Sequence, residues 1–226
     1  MQGKTYKKNC TVARSELRYI RCLHVDKDGR NIVGEMVVNK AIATDVLDIL
    51  KKLYEAKYPI ERMRLIDYWD ADDERAMRAN NSSSFNFRFI SHTHTVSKHG
   101  RGLAVDINTL YNPYHKRLKN GKEVVEPATA RPYLDRSKNH AYMIKKGDLC
   151  YRLFKAKGFR WGGDWKHSKD YQHFILSSRK VCNIFILFLV FYLAWLLNRA
   201  VFLHFLPLMC RDCAKIQKFS EILTSE

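Results

Sequence analysis

Two short stretches carry side chains whose types and spacing suit metal-assisted hydrolysis. The first is Ser97-Lys98-His99-Gly100-Arg101-Gly102-Leu103-Ala104-Val105-Asp106. Imidazole nitrogen and carboxylate oxygen are both zinc ligands, and a catalytic zinc keeps three protein ligands and one open position. His99 falls in a glycine-flanked loop, and Asp106 falls inside a segment that reads as a strand. Strand alternation puts Ala104 and Asp106 on one face, where the small Ala104 leaves room beside the carboxylate. Gly102 lets the backbone turn from loop into strand. The second stretch is Gly158-Phe159-Arg160-Trp161-Gly162-Gly163-Asp164-Trp165, followed by Asp170-Tyr171-Gln172-His173-Phe174. A hydrolytic site needs a third ligand and a carboxylate that takes a proton from water. Asp170 and His173, close together across a turn into a strand, can supply both, and the aromatic and glycine cluster can wall a groove. Each residue also has an ordinary reading: His99 as a solvated loop side chain, Trp161 and Trp165 as core, Asp170 as a cap or turn residue.

The elements that must position these groups are mixed α and β. Gly34 to Asn39 reads as a short strand, and Ala41 to Ala56 as a helix with Val46, Ile49, Leu50 and Leu53 at helical spacing, ending before Pro59. Arg62 to Trp69 and Gly102 to Asn108 read as strands bounded by turn residues. Asp148 to Ala156 reads as a second helix and His173 to Leu176 as a final strand. Lys116 to Glu126, punctuated by Asn120-Gly121, reads as an exposed loop. The expected fold is α+β: a small antiparallel sheet with flanking helices that carries a zinc site, plus a C-terminal apolar helix.

That last element comes from an abrupt change in composition. Residues 1–178 read as one domain with its motif-bearing core at 60–176; residues 181–209 form an apolar run interrupted by Arg199, and 210–226 are a polar tail. A helix that crosses the hydrocarbon needs about 20 predominantly apolar residues, so 181–209 is a candidate transmembrane or membrane-embedded segment. A buried core helix is the other reading. Met1 to Lys8 is polar and basic with no apolar stretch after it, so no secretory signal is recognised and the export route stays open.

The whole chain of 226 residues has 40 Lys and Arg against 23 Asp and Glu, a net charge of +17. Residues 181–226 hold only Arg199, Arg211, Lys215 and Lys218 against Asp212, Glu221 and Glu226, which leaves +16 on residues 1–180. Such a field favours polyanionic partners. The hydrophobic fraction of 46% excludes a disordered or low-complexity chain. Six scattered cysteines are too few for a disulfide scaffold, and Cys210 and Cys213 lack the second ligand pair that a zinc ribbon needs.

Taken together, S-x-H-x-x-G-x-A-x-D and the later W-G-G-D-W and D-x-x-H-F resemble the zinc D-alanyl-D-alanine carboxypeptidase family. The likeness is greatest to its branch of L-alanyl-D-glutamate endopeptidases. It extends over roughly Tyr6 to Ile175 and takes in Asp67 to Asp73, Asn80 to Arg88 and Asn108 to Tyr114. The resemblance implies that His99, Asp106 and His173 bind Zn2+ and that Asp170 is the general base, an aspartate as in the endopeptidase branch. It also implies that Arg88 steadies the substrate carbonyl and its developing oxyanion, and that the fold is a small α+β domain with an antiparallel sheet.

The expected activity is hydrolysis of a peptide bond in the peptidoglycan stem peptide, of D-Ala-D-Ala carboxypeptidase or L-Ala-D-Glu endopeptidase type, in the cell envelope. An anionic cell-wall polymer is a second expected partner, with membrane association through 181–209. Substrate contacts are expected from Arg88, Trp161 and Asn108. A non-catalytic zinc-containing module that binds wall or membrane is the alternative. Nucleic acid is not expected, since no nucleic-acid-binding signature accompanies the charge. His92 and His94 could compete as ligands, His167 reads as a loop residue, and Asp72 and Asp73 read as turn or helix-cap residues, with substrate contact as the alternative.

Overall fold

The computed structural model describes residues 1–90 and 93–176. Regular structure begins with a long hairpin in which β1 (Leu17–Val25) pairs antiparallel with β2 (Asn31–Asn39), Leu17 opposite Asn39 and Val25 opposite Asn31. Asp26 makes the connection: its carboxylate accepts the N–H groups of Asp28 and Arg30 and lies 2.6 Å from Arg30 Nε. β2 runs directly into α1 (Lys40–Glu55), where the Asn39 side chain caps the helix by accepting the Ala41 N–H. Ile42, Val46, Ile49, Leu50 and Leu53 are the buried residues of α1, one stripe at helical spacing.

The stripe packs into a core shared with Ile20, Met36 and Val38 of the hairpin. The core is completed from the second half of the chain, by β5 (Ala104–Asp106), α3 (Leu149–Ala156), β8 (Phe159–Trp161) and β10 (His173–Leu176), through Val105, Phe154, Phe159 and Phe174. Between the two halves, β3 (Arg62–Met63) pairs parallel with β4 (Asn81–Ser82), and α2 (Asp73–Arg78) lies between them in sequence. β5, β10 and β8 form one antiparallel sheet in that order. A second antiparallel sheet has the order β7 (Glu123–Glu126), β6 (Tyr114–Arg117), β9 (Lys169–Asp170). The architecture is therefore mixed α and β, with several small sheets rather than one, all antiparallel except β3–β4.

Three parts of the chain differ from the sequence reading. Arg62 to Trp69 is not one strand: after β3 the chain turns into a 3-10 helix, Ile66–Trp69, that ends on Asp70 in the left-handed region. Asp67 explains the turn, because its carboxylate accepts both the N–H and the hydroxyl of Thr5. Lys116 to Glu126 is not an exposed loop but most of the β6–β7 hairpin, and only the tight turn at 118–122 is free of the ladder. β1 was not anticipated at all; Tyr19 and Leu23 stay exposed on its outer face, which hides the alternation expected of a half-buried strand. The apolar segment 181–209 and the tail 210–226 lie outside the described residues. Among the described residues no helix is long and apolar enough to cross a membrane.

Phe154 is fully buried, stacked on Phe174 at 4.1 Å between centroids and edge-on to Phe159 at 5.2 Å. It joins α3 to β10, the strand that begins at His173. Phe154→Ala is expected to cost about 3–5 kcal/mol of unfolding free energy, read as a lower denaturation midpoint with an unchanged slope.

Candidate metal centre

Two strand pairings and one turn bring the candidate ligands together. In the β5–β10 ladder Asp106 and His173 are direct partners, so their side chains leave the same face of the sheet. His173 Nδ1 lies 2.9 Å from Asp106 Oδ1. β5 is also clamped on its other edge, where Ser83 and Asp106 exchange both backbone hydrogen bonds. His99 arrives on a 3-10 turn, His99–Arg101, closed by Gly102 at φ +66°. A Cβ on Gly102 would stand 2.8 Å from the Asn39 nitrogen, whose N–H donates to the Gly102 carbonyl. Glycine is thus required both by the left-handed backbone and by the approach of the β2–α1 junction.

The His99 ring is oriented from behind. Nδ1 lies 2.7 Å from the Ser84 carbonyl oxygen, which can only accept, so Nδ1 carries the hydrogen and Nε2 presents its lone pair. Nε2 in turn lies 3.1 Å from His173 Nδ1 and 3.2 Å from Asp106 Oδ2. Ligand atoms of His99, Asp106 and His173 all fall within 4.8 Å of one another. His99 and His173 are buried, at 7% and 8% exposure.

A cation suits this triangle. An imidazole lone pair and a carboxylate face a second imidazole nitrogen, and one proton cannot bind all three. Tetrahedral zinc with bonds of about 2.0–2.2 Å separates its ligand atoms by about 3.3–3.6 Å, so the observed spacings need to open by only a few tenths of an ångström. An orienting carbonyl behind a ligating histidine is the usual support of such a site. Burial opposes ionisation of Asp106, but the two imidazoles overcome it and hold the carboxyl well below the usual carboxylate range. Burial likewise works against a charged His173, yet its hydrogen bond and charge interaction with Asp106 raise it above the ordinary histidine value.

Asp170 reaches the same place from the second sheet. β9 pairs with β6 through Tyr114 opposite Asp170, and the chain then turns through Tyr171 and Gln172 into β10. Gly162 is the residue that lets Asp170 sit where it does: a Cβ there would meet the Asp170 carbonyl oxygen at 2.5 Å and its Cβ at 2.7 Å. Asp170 Oδ1 is buried and has no aligned hydrogen-bond partner among the described residues, with the Gln172 side chain the nearby polar group. Burial pushes its carboxyl up to about 6, with the charge of Asp106 adding to the rise and the two imidazoles opposing it. A carboxylate held near neutral beside a metal triangle is suited to taking and returning a proton.

Arg88 lies on the same side. Its Nη1 is 2.6 Å from Asp73 Oδ2, and its charge is felt at His173. The Asp73 carboxylate thus engages Nη1, while the Arg88 side chain as a whole stays 36% exposed. Trp165 is half-buried with its ring edge-on to His173 at 5.6 Å.

The structure places two of the sequence-derived substrate contacts in the packing instead. Trp161 is 4% exposed, belongs to the core, and its indole N–H donates to the Tyr171 carbonyl. Asn108 is fully buried and its amide ties Glu61 N–H to the Pro59 carbonyl. Asp72 caps α2 by accepting the Arg75 N–H. His94 and His167 are exposed, and His94 is not in the metal-ligating group. His92, Cys210 and Cys213 lie outside the described residues. Ser84 had no role in the sequence reading, since a backbone carbonyl has no residue-type signature, and Asp73 was read there as a turn or helix-cap residue, not as a partner of Arg88.

The triangle predicts a thermal signature independent of catalysis. Zinc at 100 times its dissociation constant is expected to stabilise the fold by about 2.7 kcal/mol, seen as a rise in melting temperature that His99→Ala abolishes. In the metal-free protein the pair of charged His173 and Asp106 contributes stability below the ordinary histidine pKa, and this is lost as pH rises through the raised value. Protons compete with zinc for the same nitrogen. The zinc-induced rise should therefore be larger at pH 8 than at pH 6.

Residues 91–176 match the family model described as D-alanyl-D-alanine carboxypeptidase. The matched residues contain His99, Asp106, Asp170 and His173; Arg88 and Asp73 precede them. No solved structure matches the chain. The match falls on the segment that builds the metal triangle, and residues 91–176 carry a zinc metallopeptidase domain similar to the D-alanyl-D-alanine carboxypeptidases, a family that acts on peptidoglycan.

Proposed function

We propose that this chain hydrolyses a peptide bond next to a D-amino acid in the peptidoglycan stem peptide, with His99, Asp106 and His173 holding zinc. The observation that carries the reading is the buried Asp170 carboxyl beside the ligand triangle, its Oδ1 without an aligned partner among the described residues. When bound, zinc supplies Lewis acidity and lowers the pKa of a water at its open position to about 7. Asp170 accepts the proton from the attacking water and returns it to the departing amine. Arg88 directs a guanidinium N–H toward the carbonyl oxygen as that oxygen gains negative charge; a donor of this kind is typically worth about 3–4 kcal/mol in the transition state. Trp165 forms an apolar wall beside His173 and narrows access of water.

A module that kept zinc only for folding would have no use for a buried carboxyl raised toward neutrality beside the ligand triangle, which burial makes costly to ionise. The aspartate at this position also fits the endopeptidase branch of the resemblance, so cleavage between L-alanine and D-glutamate is the favoured bond. The net charge of +16 on residues 1–180 would hold the domain near the phosphates and carboxylates of an anionic wall polymer in the cell envelope.

Digestion of purified muropeptides, with the products identified by mass, tests the bond: loss of L-alanine from the remaining peptide is expected, and loss of terminal D-alanine would make the enzyme a carboxypeptidase. Asp170→Asn should keep zinc at one equivalent and lower kcat by about 10²–10⁴-fold; full turnover in that variant would remove Asp170 from the mechanism. Asp170 acts only when ionised, so kcat/KM should fall on the acid side. The metal-free carboxyl stands at about 6 and the zinc charge favours its ionised form, so the limb should lie at or below that pH.

A further inference from the structure

We propose that Asp73 is a positioning residue that holds the Arg88 guanidinium against the metal centre. The proposal rests on the role given to Arg88 above. The two side chains are half-buried, at 36% and 29% exposure, and their closest atoms are 2.6 Å apart. A surface ion pair of this kind adds little stability, because two long side chains are ordered for a screened attraction. Here one partner is fixed in advance. Asp73 is the first residue of α2, whose start Asp72 caps, and Asp73 Oδ1 also accepts the side-chain N–H of Asn86 at 3.0 Å. Asn86 itself is buried, donates a second hydrogen to the Ala71 carbonyl, and gives its backbone N–H to the His99 carbonyl.

The same asparagine thus ties the Asp73 carboxylate to the loop that carries a metal ligand. The Arg88 backbone is tied to that loop as well, its carbonyl accepting the Ser97 N–H at 2.9 Å. With both ends referenced to the ligand loop, the carboxylate fixes where the guanidinium rests relative to His99. The ion pair engages Nη1 while the Arg88 side chain stays 36% exposed, so charge holds the group in place and leaves the rest of the guanidinium for substrate. Without Asp73, nearby Glu126 competes for the guanidinium, since its carboxyl already feels the Arg88 charge. Arg88 would then be drawn toward β7 and lose its reference to the ligand loop.

The test uses the full zinc-loaded chain. The Arg88 Nε–H NMR signal, assigned by its absence in Arg88→Lys, is expected to report an ordered guanidinium in the native protein and an averaged one in Asp73→Asn, with zinc stoichiometry unchanged. On muropeptide substrate, Asp73→Asn should lower kcat by about 10–100-fold with KM within about twofold. Asp73→Glu should recover part of the loss, and Asp73→Asn should add nothing in an Arg88→Ala background. Binding of a phosphinate dipeptide, followed by calorimetry, should weaken by the same factor as kcat. An unchanged Arg88 signal, or a full additional loss in the Arg88→Ala background, would overturn the positioning role. A changed signal in a chain that cleaves no muropeptide would instead uphold the positioning and sink the proposed reaction.

Discussion

The structure depends on one demand: three lone-pair groups must be held within about a hydrogen bond of each other in a buried place. Such a cluster is unfavourable alone, because buried acceptors without donors or cations lose solvation and gain nothing. It persists when the surrounding frame fixes the geometry and a metal supplies the missing positive charge. The frame here is assembled from distant parts of the chain. Asp106 and His173 are set by strand pairing, and His99 by a turn packed against the start of α1. The aromatic core under β10, where Phe174 stacks on Phe154, keeps the strand from moving away.

Much of the organisation comes from a stretch with little regular structure. Between β4 and Arg88, the Ser83 backbone pairs with Asp106, the Ser84 carbonyl orients His99, and its hydroxyl donates to the Ala104 carbonyl. Phe85 donates its N–H to Val37 of the hairpin, and Asn86 donates to His99. The stretch is buried from Asn81 through Phe87, so each backbone group needs a partner, and the partners are the ligand-bearing segments. Backbone hydrogen bonding can therefore position a metal site as closely as a sheet does, without leaving a strand or helix signature in the residue pattern.

That distinction explains what could be read in advance. The candidate ligands and Asp170 could be picked out because metal chemistry restricts residue type: imidazoles and carboxylates at fixed intervals, with Gly102 and Gly162 where a side chain would collide. α1 was legible because its apolar stripe meets the core at helical spacing. Trp161 and Asn108 were misleading for the opposite reason. A tryptophan between glycines and an asparagine after a strand fit a groove as well as a core, and only burial separates the two. The β6–β7 hairpin was obscured by Lys116, Arg117, Glu123 and Glu126, whose charges suggest solvent although its strand β6 is what supports Asp170 through β9.

The charges divide in the same way as the architecture. Zinc at the triangle would balance Asp106 and Asp170, while Arg88 balances Asp73 and Arg78 balances Glu74. The centre and its supports then come close to neutrality, so the chemistry there does not draw on the basic surplus of residues 1–180. The surplus lies outside that balance, free to act over the range of about 8–10 Å that salt leaves open. A neutral centre inside a basic exterior separates two tasks: concentrating the domain on a polyanionic matrix by field, and selecting one peptide bond by contact. Weakening the exterior charge would alter encounter without touching the ligand triangle, because the groups that fix His99, Asp106 and His173 are backbone carbonyls, strand partners and buried rings.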